Sequence, residues 1–211
     1  MEQIHDPALQ EGSEPRVDDV DRARAKEYAL LATLLSHSPD ARMIGRLALL
    51  RGDASPLGAT HTALAEVAAN ANAESVKAEY FDLFDGLGRG RLLPYASHYL
   101  TGSLYGRPLA RLRETLRSLG IEKAEHLSEP EDHAAILCEI MAGLAGGQIP
   151  APVEAEREFF EKHLGPWVGR FFADLECAEA VDFYARVGAV GRTFVEIETE
   201  AFTLPASGLV L

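Results

Sequence analysis

The sequence predicts an all-α fold, a single-domain bundle of about nine to eleven helices. Three observations carry this. Apolar residues recur at the 3.6-residue period along most of the chain. No segment alternates apolar and polar residues cleanly over the length of a strand. Prolines, glycines and capping residues cut the periodic stretches into pieces of ordinary helix length.

Residues 1–17 are polar, contain Pro7, Gly12 and Pro15, and lack periodicity, so a tail is expected ahead of a helical domain over 18–211. Asp18 or Asp19 caps a first helix with Tyr28, Leu31, Leu34 and Leu35 on its apolar face, and Pro39 stops it. A short helix is expected near 41–50, a linker over 52–58, and a helix from about Thr60 to Ala69. The next runs from Ala73 to Phe84, with Val76, Tyr80, Leu83 and Phe84 on one side. Gly86, Gly88 and Gly90 then end the helical pattern and favour a mobile loop. No strand precedes them, so they are not a dinucleotide fingerprint.

A short aromatic segment, Pro94 to Leu100, follows. Pro108 opens a helix carrying Leu109, Leu112, Leu116 and Leu119, and Gly120 closes it. Ser128 and Glu131 have the spacing of a capping box for a helix that continues through Ile136, Leu137, Ile140, Met141 and Leu144. Two helices follow the Pro150/Pro152 break, over about 153–164 and from Pro166 onward. A last one spans about Ala178 to Phe202, weakened by Gly188 and Gly191.

Composition narrows the function classes. Hydrophobic residues make up 47% of the chain, enough for a sizeable core, and the net charge is −13. Such a surface repels phosphate, so nucleic acid and anionic membrane are not expected partners, whereas a basic peptide is attracted. Met1 to Val17 lacks the apolar core of a signal peptide, and no run of about 18 apolar residues occurs, so a cytoplasmic protein is expected. Cys138 and Cys177 form neither a disulfide framework nor a metal knuckle, and both are expected in the core.

Three constellations could carry chemistry. Glu129, Asp132 and His133 cluster at a predicted helix start, with Glu129 and His133 one turn apart. As chemistry they read as a metal pair or a base with an orienting acid. As structure, acids in a first turn complement the helix dipole, and a catalytic metal wants about three protein ligands. The second group is Tyr80, Leu83 and Phe84, followed after the glycine loop by Pro94, Tyr95, Ser97 and Tyr99. It reads as core, or as an amphipathic groove for another chain, since tyrosine joins apolar area to a polar tip. The third, Phe160, His163, Pro166, Trp167 and Phe171, reads as packing at a helix corner. There is no GxSxG elbow, no cysteine beside a histidine and no P-loop.

Tyr80-Phe81-Asp82-Leu83-Phe84, Pro94-Tyr95-Ala96-Ser97-His98-Tyr99, Glu129-Pro130-Glu131-Asp132-His133 and Phe160-Glu161-Lys162-His163-Leu164-Gly165-Pro166-Trp167 occur in that order. Together they resemble the TorD/DmsD family of molybdoenzyme assembly chaperones, related to the NarJ group, over roughly residues 25–202. The resemblance implies a TorD-like helical fold without catalytic residues of its own. It implies binding, in the cytoplasm, to the apo catalytic subunit of a molybdopterin oxidoreductase, such as a formate dehydrogenase or a DMSO/TMAO-type reductase, until cofactor is inserted. Many such proteins also bind the client's twin-arginine leader, and weak guanine-nucleotide binding is associated with some.

Carried onto this chain, the resemblance assigns Tyr80, Leu83, Phe84, Pro94, Tyr95, Ser97, Tyr99, Asp132 and His133 to leader or client recognition; on physical grounds the nearby acids Glu129, Asp132 and Asp82 or Asp85 would attract the leader's arginines. It implies a monomer or a dimer formed by helix swapping, with Gly86–Gly90 as the hinge. Tyr80 and Tyr95 stand where some leader-binding members have Trp, and the loop reads GLGRGR, whose arginines oppose a twin-arginine peptide. Two other functions fit the residues: a helical metal-dependent hydrolase using Glu129, His133 and His163, and a helical scaffold module.

Overall fold

Short polar side chains set the helix starts. In the computed structural model, which describes residues 17–85, 91–124, 128–152, 154–179 and 181–204, Asp18 caps α1 (Asp19–Ser36) and Asp40 caps α2 (Ala41–Leu47). Ser55 caps α3 (Pro56–Asn70) and Asn72 caps α4 (Ala73–Tyr80). Each accepts from an amide that has no partner within its helix. After α4 the chain widens into a π-helical turn, Phe81–Asp85. Then come α5 (Ala96–Thr101), α6 (Arg107–Ser118), α7 (Ala134–Ala145) and α8 (Ala155–Phe159). A second π-helical turn, Phe160–Leu164, leads to α9 (Gly165–Glu176) and α10 (Phe183–Thr203). Among the described residues there are ten α-helices, no named strand, and no helix long and apolar enough to cross a membrane.

Packing is heaviest between α1 and α7 and between α9 and α10, with α3 also against α10. Trp167, Tyr28, Tyr184, Phe159, Phe171, Phe172 and Phe183 are the largest fully buried side chains, each contributing roughly 2–3 kcal/mol by leaving water. Gly188 and Gly191 strengthen this packing where the sequence suggested weakness. A Cβ on Gly188 would stand 2.4 Å from the Glu176 amide nitrogen, and one on Gly191 would stand 2.3 Å from the Phe172 ring. The cost of glycine within a helix is offset by the close approach of α9 and α10.

A buried ion cluster closes the bundle, and nothing in the sequence singled it out. Glu198, 1% exposed, accepts two bonds from Arg24, both 2.7 Å, and one from Tyr28 Oη at 2.8 Å. Arg24 also pairs with Glu156 and lies over the Phe202 ring. The cluster ties α1 to α8 and α10. One-sided removal of such a pair leaves an uncompensated buried charge, which is what makes it strongly destabilising.

Several expectations need correction. α7 begins at Ala134, and its cap is His133, whose Nδ1 accepts from the Ala135 amide at 3.1 Å. The Ser128/Glu131 box is therefore not its start; Glu131 accepts two bonds from Arg113 instead, at 2.9 and 2.8 Å. The linker after α2 lies earlier than expected, because α2 already ends at Leu47 and Ser55 already caps α3. Pro94–Leu100 contains all but the last residue of α5, and the last helix begins at Phe183, not Ala178. Cys138 is buried, but Cys177 ends α9 and is exposed. The expected tail, apart from Val17, and the glycine loop with its hinge role lie outside the described residues.

Candidate functional site

The PYASHY and EPEDH segments meet. The amide of Ala96 donates to the Asp132 carbonyl at 3.0 Å, and that of Ala134 donates to the Pro94 carbonyl at 2.8 Å. This leaves Tyr95 and His133 paired as an isolated antiparallel bridge. Asp132 sits behind the bridge, 1% exposed, with Oδ2 accepting from the Ser97 amide at 2.8 Å. It thereby satisfies the first turn of α5, which no residue of α5's own flank caps. Ser97, also fully buried, accepts from the Tyr105 amide through Oγ at 3.0 Å.

In front of the bridge is a cleft of about 920 Å³, within the size range of ligand pockets. The end of α1 and the turn to α2 form one wall (Ser36 to Asp40), and α4 with its π-helical turn forms another. The bridge and α7 complete it. Tyr80, Phe84, Pro94, Tyr95, Glu129 and His133 all line this cleft. Tyr80 and Phe84 pack against each other at 5.0 Å and against the buried Tyr184 at 5.7 and 5.8 Å. Among the described residues the lining holds Asp40, Glu74, Asp85, Glu129 and Glu139 against a single lysine, Lys77. Acid in such excess around an aromatic floor favours a cation with apolar flanks.

Protonation states follow from burial. The Tyr95 phenol donates to Glu129. Burial and that carboxylate hold it above its ordinary pKa, so the proton stays. Burial, with smaller contributions from Asp85 and Glu129, pushes Tyr80 up to about 12. His133 is pushed below its ordinary value by burial, against the pull of Glu129 and Asp132. A neutral imidazole agrees with its cap role, since Nδ1 must carry a lone pair there.

The remaining predicted residues lie elsewhere. Leu83 is fully buried core, and Ser97 and Asp132 stand behind the bridge without lining the cleft. Tyr99 packs on Trp167 at 5.5 Å, and its hydroxyl donates to Asp174 at 2.8 Å. His163 is not with Glu129 and His133: its Nε2 pairs with Thr115 Oγ1 at 2.8 Å, in a second pocket. Among the described residues no three His, Cys, Asp or Glu are grouped to hold a metal ion. Arg91, from the end of the glycine loop, donates to the Glu179 carbonyl at 2.8 Å and does not line the cleft.

Sequence reasoning missed His37, Asp40, Lys77 and Glu139 as lining residues. Glu139 is three residues beyond Ile136 and so shares its face of α7, a spacing that was available. The α1–α2 turn gave no comparable signal beyond its proline.

The family model described as nitrate reductase delta subunit matches residues 50–173, more than half of the chain. The chain belongs to that family. This delta-subunit family member is 31% identical over 128 residues to the chaperone protein TorD of Vibrio cholerae serotype O1, covering 56% of this chain and 58% of that relative. It is 27% identical to TorD of Shewanella oneidensis, over 75% of this chain and 80% of that one. In fold it is similar to a crystal structure assigned to redox enzyme maturation, from Archaeoglobus fulgidus. That match has a TM-score of 0.53 and 22% identity, over 89% of this chain and 99% of the other. The matched residues 50–173 include α3 to α7 and hence most of the cleft and the whole bridge.

Proposed function

We propose that this protein is a redox-enzyme maturation chaperone that binds the unfinished catalytic subunit of a molybdopterin oxidoreductase in the cytoplasm and performs no covalent chemistry. Family membership and the relatives named TorD support the class. The observation that carries the recognition step is the cleft, where, among the described residues, an aromatic floor adjoins five carboxylates and one lysine. A basic segment with apolar neighbours, such as a client's arginine-bearing leader, fits that chemistry. Its guanidinium groups meet Glu129 and Glu139, and its apolar residues cover Tyr80, Phe84 and Tyr95. Asp132 acts indirectly, by holding the bridge that presents Tyr95 and His133.

Calorimetry with a synthetic peptide of two adjacent arginines followed by an apolar stretch tests this. The double variant Glu129→Gln/Glu139→Gln should weaken binding by about tenfold, the size expected of charge-assisted contacts at a half-exposed site. Equal affinity in the variant, with an unchanged melting temperature, would rule out the cleft as the recognition site.

A further inference from the structure

The pocket that holds His163 has the opposite electrostatic sign. It measures about 370 Å³ and lies between α5, the first turns of α6 and the second π-helical turn. Arg107, Arg111 and Lys162 line it, and its one carboxylate, Asp132, is buried behind Ser97. Lys162 is paired with Glu158 at 2.6 Å, while Arg107 and Arg111 make no ion pair among the described residues. His163 adds no charge: burial and the neighbouring Lys162 lower it to about 4.

This placement is unfavourable for the isolated fold. Arg107 and Arg111 are one turn apart, where like charges repel. They occupy the first turns of α6, the positive end of its dipole, and Gly106 supplies no side-chain cap. The chain holds 33 acidic and 20 basic residues, yet among the described residues no acid pairs with these two arginines. An apolar ledge begins inside the pocket: Leu100 lines it with the two arginines, and Leu104 and Tyr105 lead directly into α6. Leu100, Leu104 and Tyr105 are 42%, 38% and 58% exposed. Tyr105 has φ +69°, the one positive value outside glycine among the described residues. A left-handed tyrosine costs about 1 kcal/mol or more. The bond from its amide to Ser97 holds it in place with its ring largely in solvent.

The geometry points to a second docking surface that takes an acidic, apolar-flanked segment of the client polypeptide, its carboxylates on Arg107 and Arg111 and its apolar side chains on Leu104 and Tyr105. The chaperone function supplies the source of the segment. The cleft would take a basic stretch of the same client and this surface an acidic one. The ledge favours a peptide over a small anion, which would leave Leu104 and Tyr105 exposed.

Fluorescence anisotropy on the full chain tests this with two labelled dodecamers, one of alternating glutamate and leucine or phenylalanine, one with lysine in place of glutamate. The acidic peptide should bind. Arg107→Glu/Arg111→Glu should weaken it at least about tenfold, and Tyr105→Ala about threefold. The arginine variant should melt no lower than the wild type, since it relieves the repulsion at the start of α6, and should keep the wild-type affinity for the arginine peptide of the cleft. No binding of the acidic peptide, or binding insensitive to the arginine substitutions, overturns the proposal. So does full displacement by millimolar inorganic phosphate with no effect of Tyr105→Ala, which would mark a small-anion site. Loss of the arginine-peptide signal alone counts against the cleft and leaves this surface standing.

Discussion

The cleft and the second pocket grow from the same few residues yet differ in sign. Pro94, Tyr95 and His133 face the first, which among the described residues carries five acids and one lysine; Ala96 and Asp132 face the second, which carries two arginines without an ion pair among those residues and one paired lysine. At the bridged pair the extended backbone turns the neighbours Ala96 and Asp132 to the side opposite Tyr95 and His133, while Pro94 stays with the cleft. A single junction between PYASHY and EPEDH can therefore shape two surfaces of different chemistry. The buried residues at its centre act on both without touching a ligand.

Removing the centre should break the comparison, because both surfaces would suffer together. Asp132→Ala deletes the carboxylate that accepts from the Ser97 amide and frees the start of α5. We expect a loss of about 2–3 kcal/mol, the range for a buried hydrogen bond to a charged group. Urea unfolding measures it, and peptide binding should weaken at both surfaces. The structure leaves Asp132 Oδ1 without a partner among the described residues. Asp132→Asn, which keeps an oxygen for Ser97, should therefore recover most of the loss. Weakening confined to the cleft would mean that Asp132 touches the ligand after all.

The fold was largely legible because helical periodicity and caps are local signals. Asp18 at the start of α1 and the stop before Pro39 needed nothing beyond near neighbours. The site was legible only as residue types. Tyr95 and Glu129 are 34 positions apart, and no local rule pairs them. Asp132 and Leu83 carried the same motif signal as Tyr80 and Tyr95, yet burial separates them: a motif marks a junction, not the side of it on which each residue faces. The apparent capping box failed for a related reason. Arg113, from a different helix, claims Glu131, and His133 caps α7 itself. The arginine pair of the second pocket passed unnoticed because acidity averaged over the chain hides a local reversal.

Acid should act on both surfaces through their histidines, with a smaller effect. His163 is lowered to about 4 and His133 is lowered too, both chiefly by burial. The folded state therefore binds fewer protons than the unfolded chain between the ordinary histidine pKa, about 6.5, and the depressed values. The stability these groups supply is complete above that ordinary value and drains away as pH falls toward 4. His61, raised mainly by its hydrogen bond to Glu27, works in the opposite sense: its contribution is present in acid and is lost as pH rises through its folded value. We expect the melting temperature to fall by a few degrees from pH 7 to pH 5, equivalent to about 1 kcal/mol after this opposition. His163→Gln, which can still bond Thr115, should flatten the slope. An unchanged slope would place the acid sensitivity in His133 and the cleft alone.

The finest separation comes from one hydroxyl. Tyr95→Phe keeps the ring that packs on His133 at 5.1 Å and removes the bond to Glu129. Glu129 is exposed, so water replaces the lost donor, and stability should change by less than about 1 kcal/mol. Freed from the phenol, the carboxylate is more available to a guanidinium. Affinity for the arginine peptide should then hold or rise by up to about threefold, whereas losing the ring in Tyr95→Ala should reduce it. The acidic peptide should not sense either change, because Tyr95 does not line the second pocket. If Tyr95→Phe weakens the arginine peptide as much as Tyr95→Ala does, the hydroxyl itself is the contact, and the division of labour between aromatic floor and acidic rim must be redrawn.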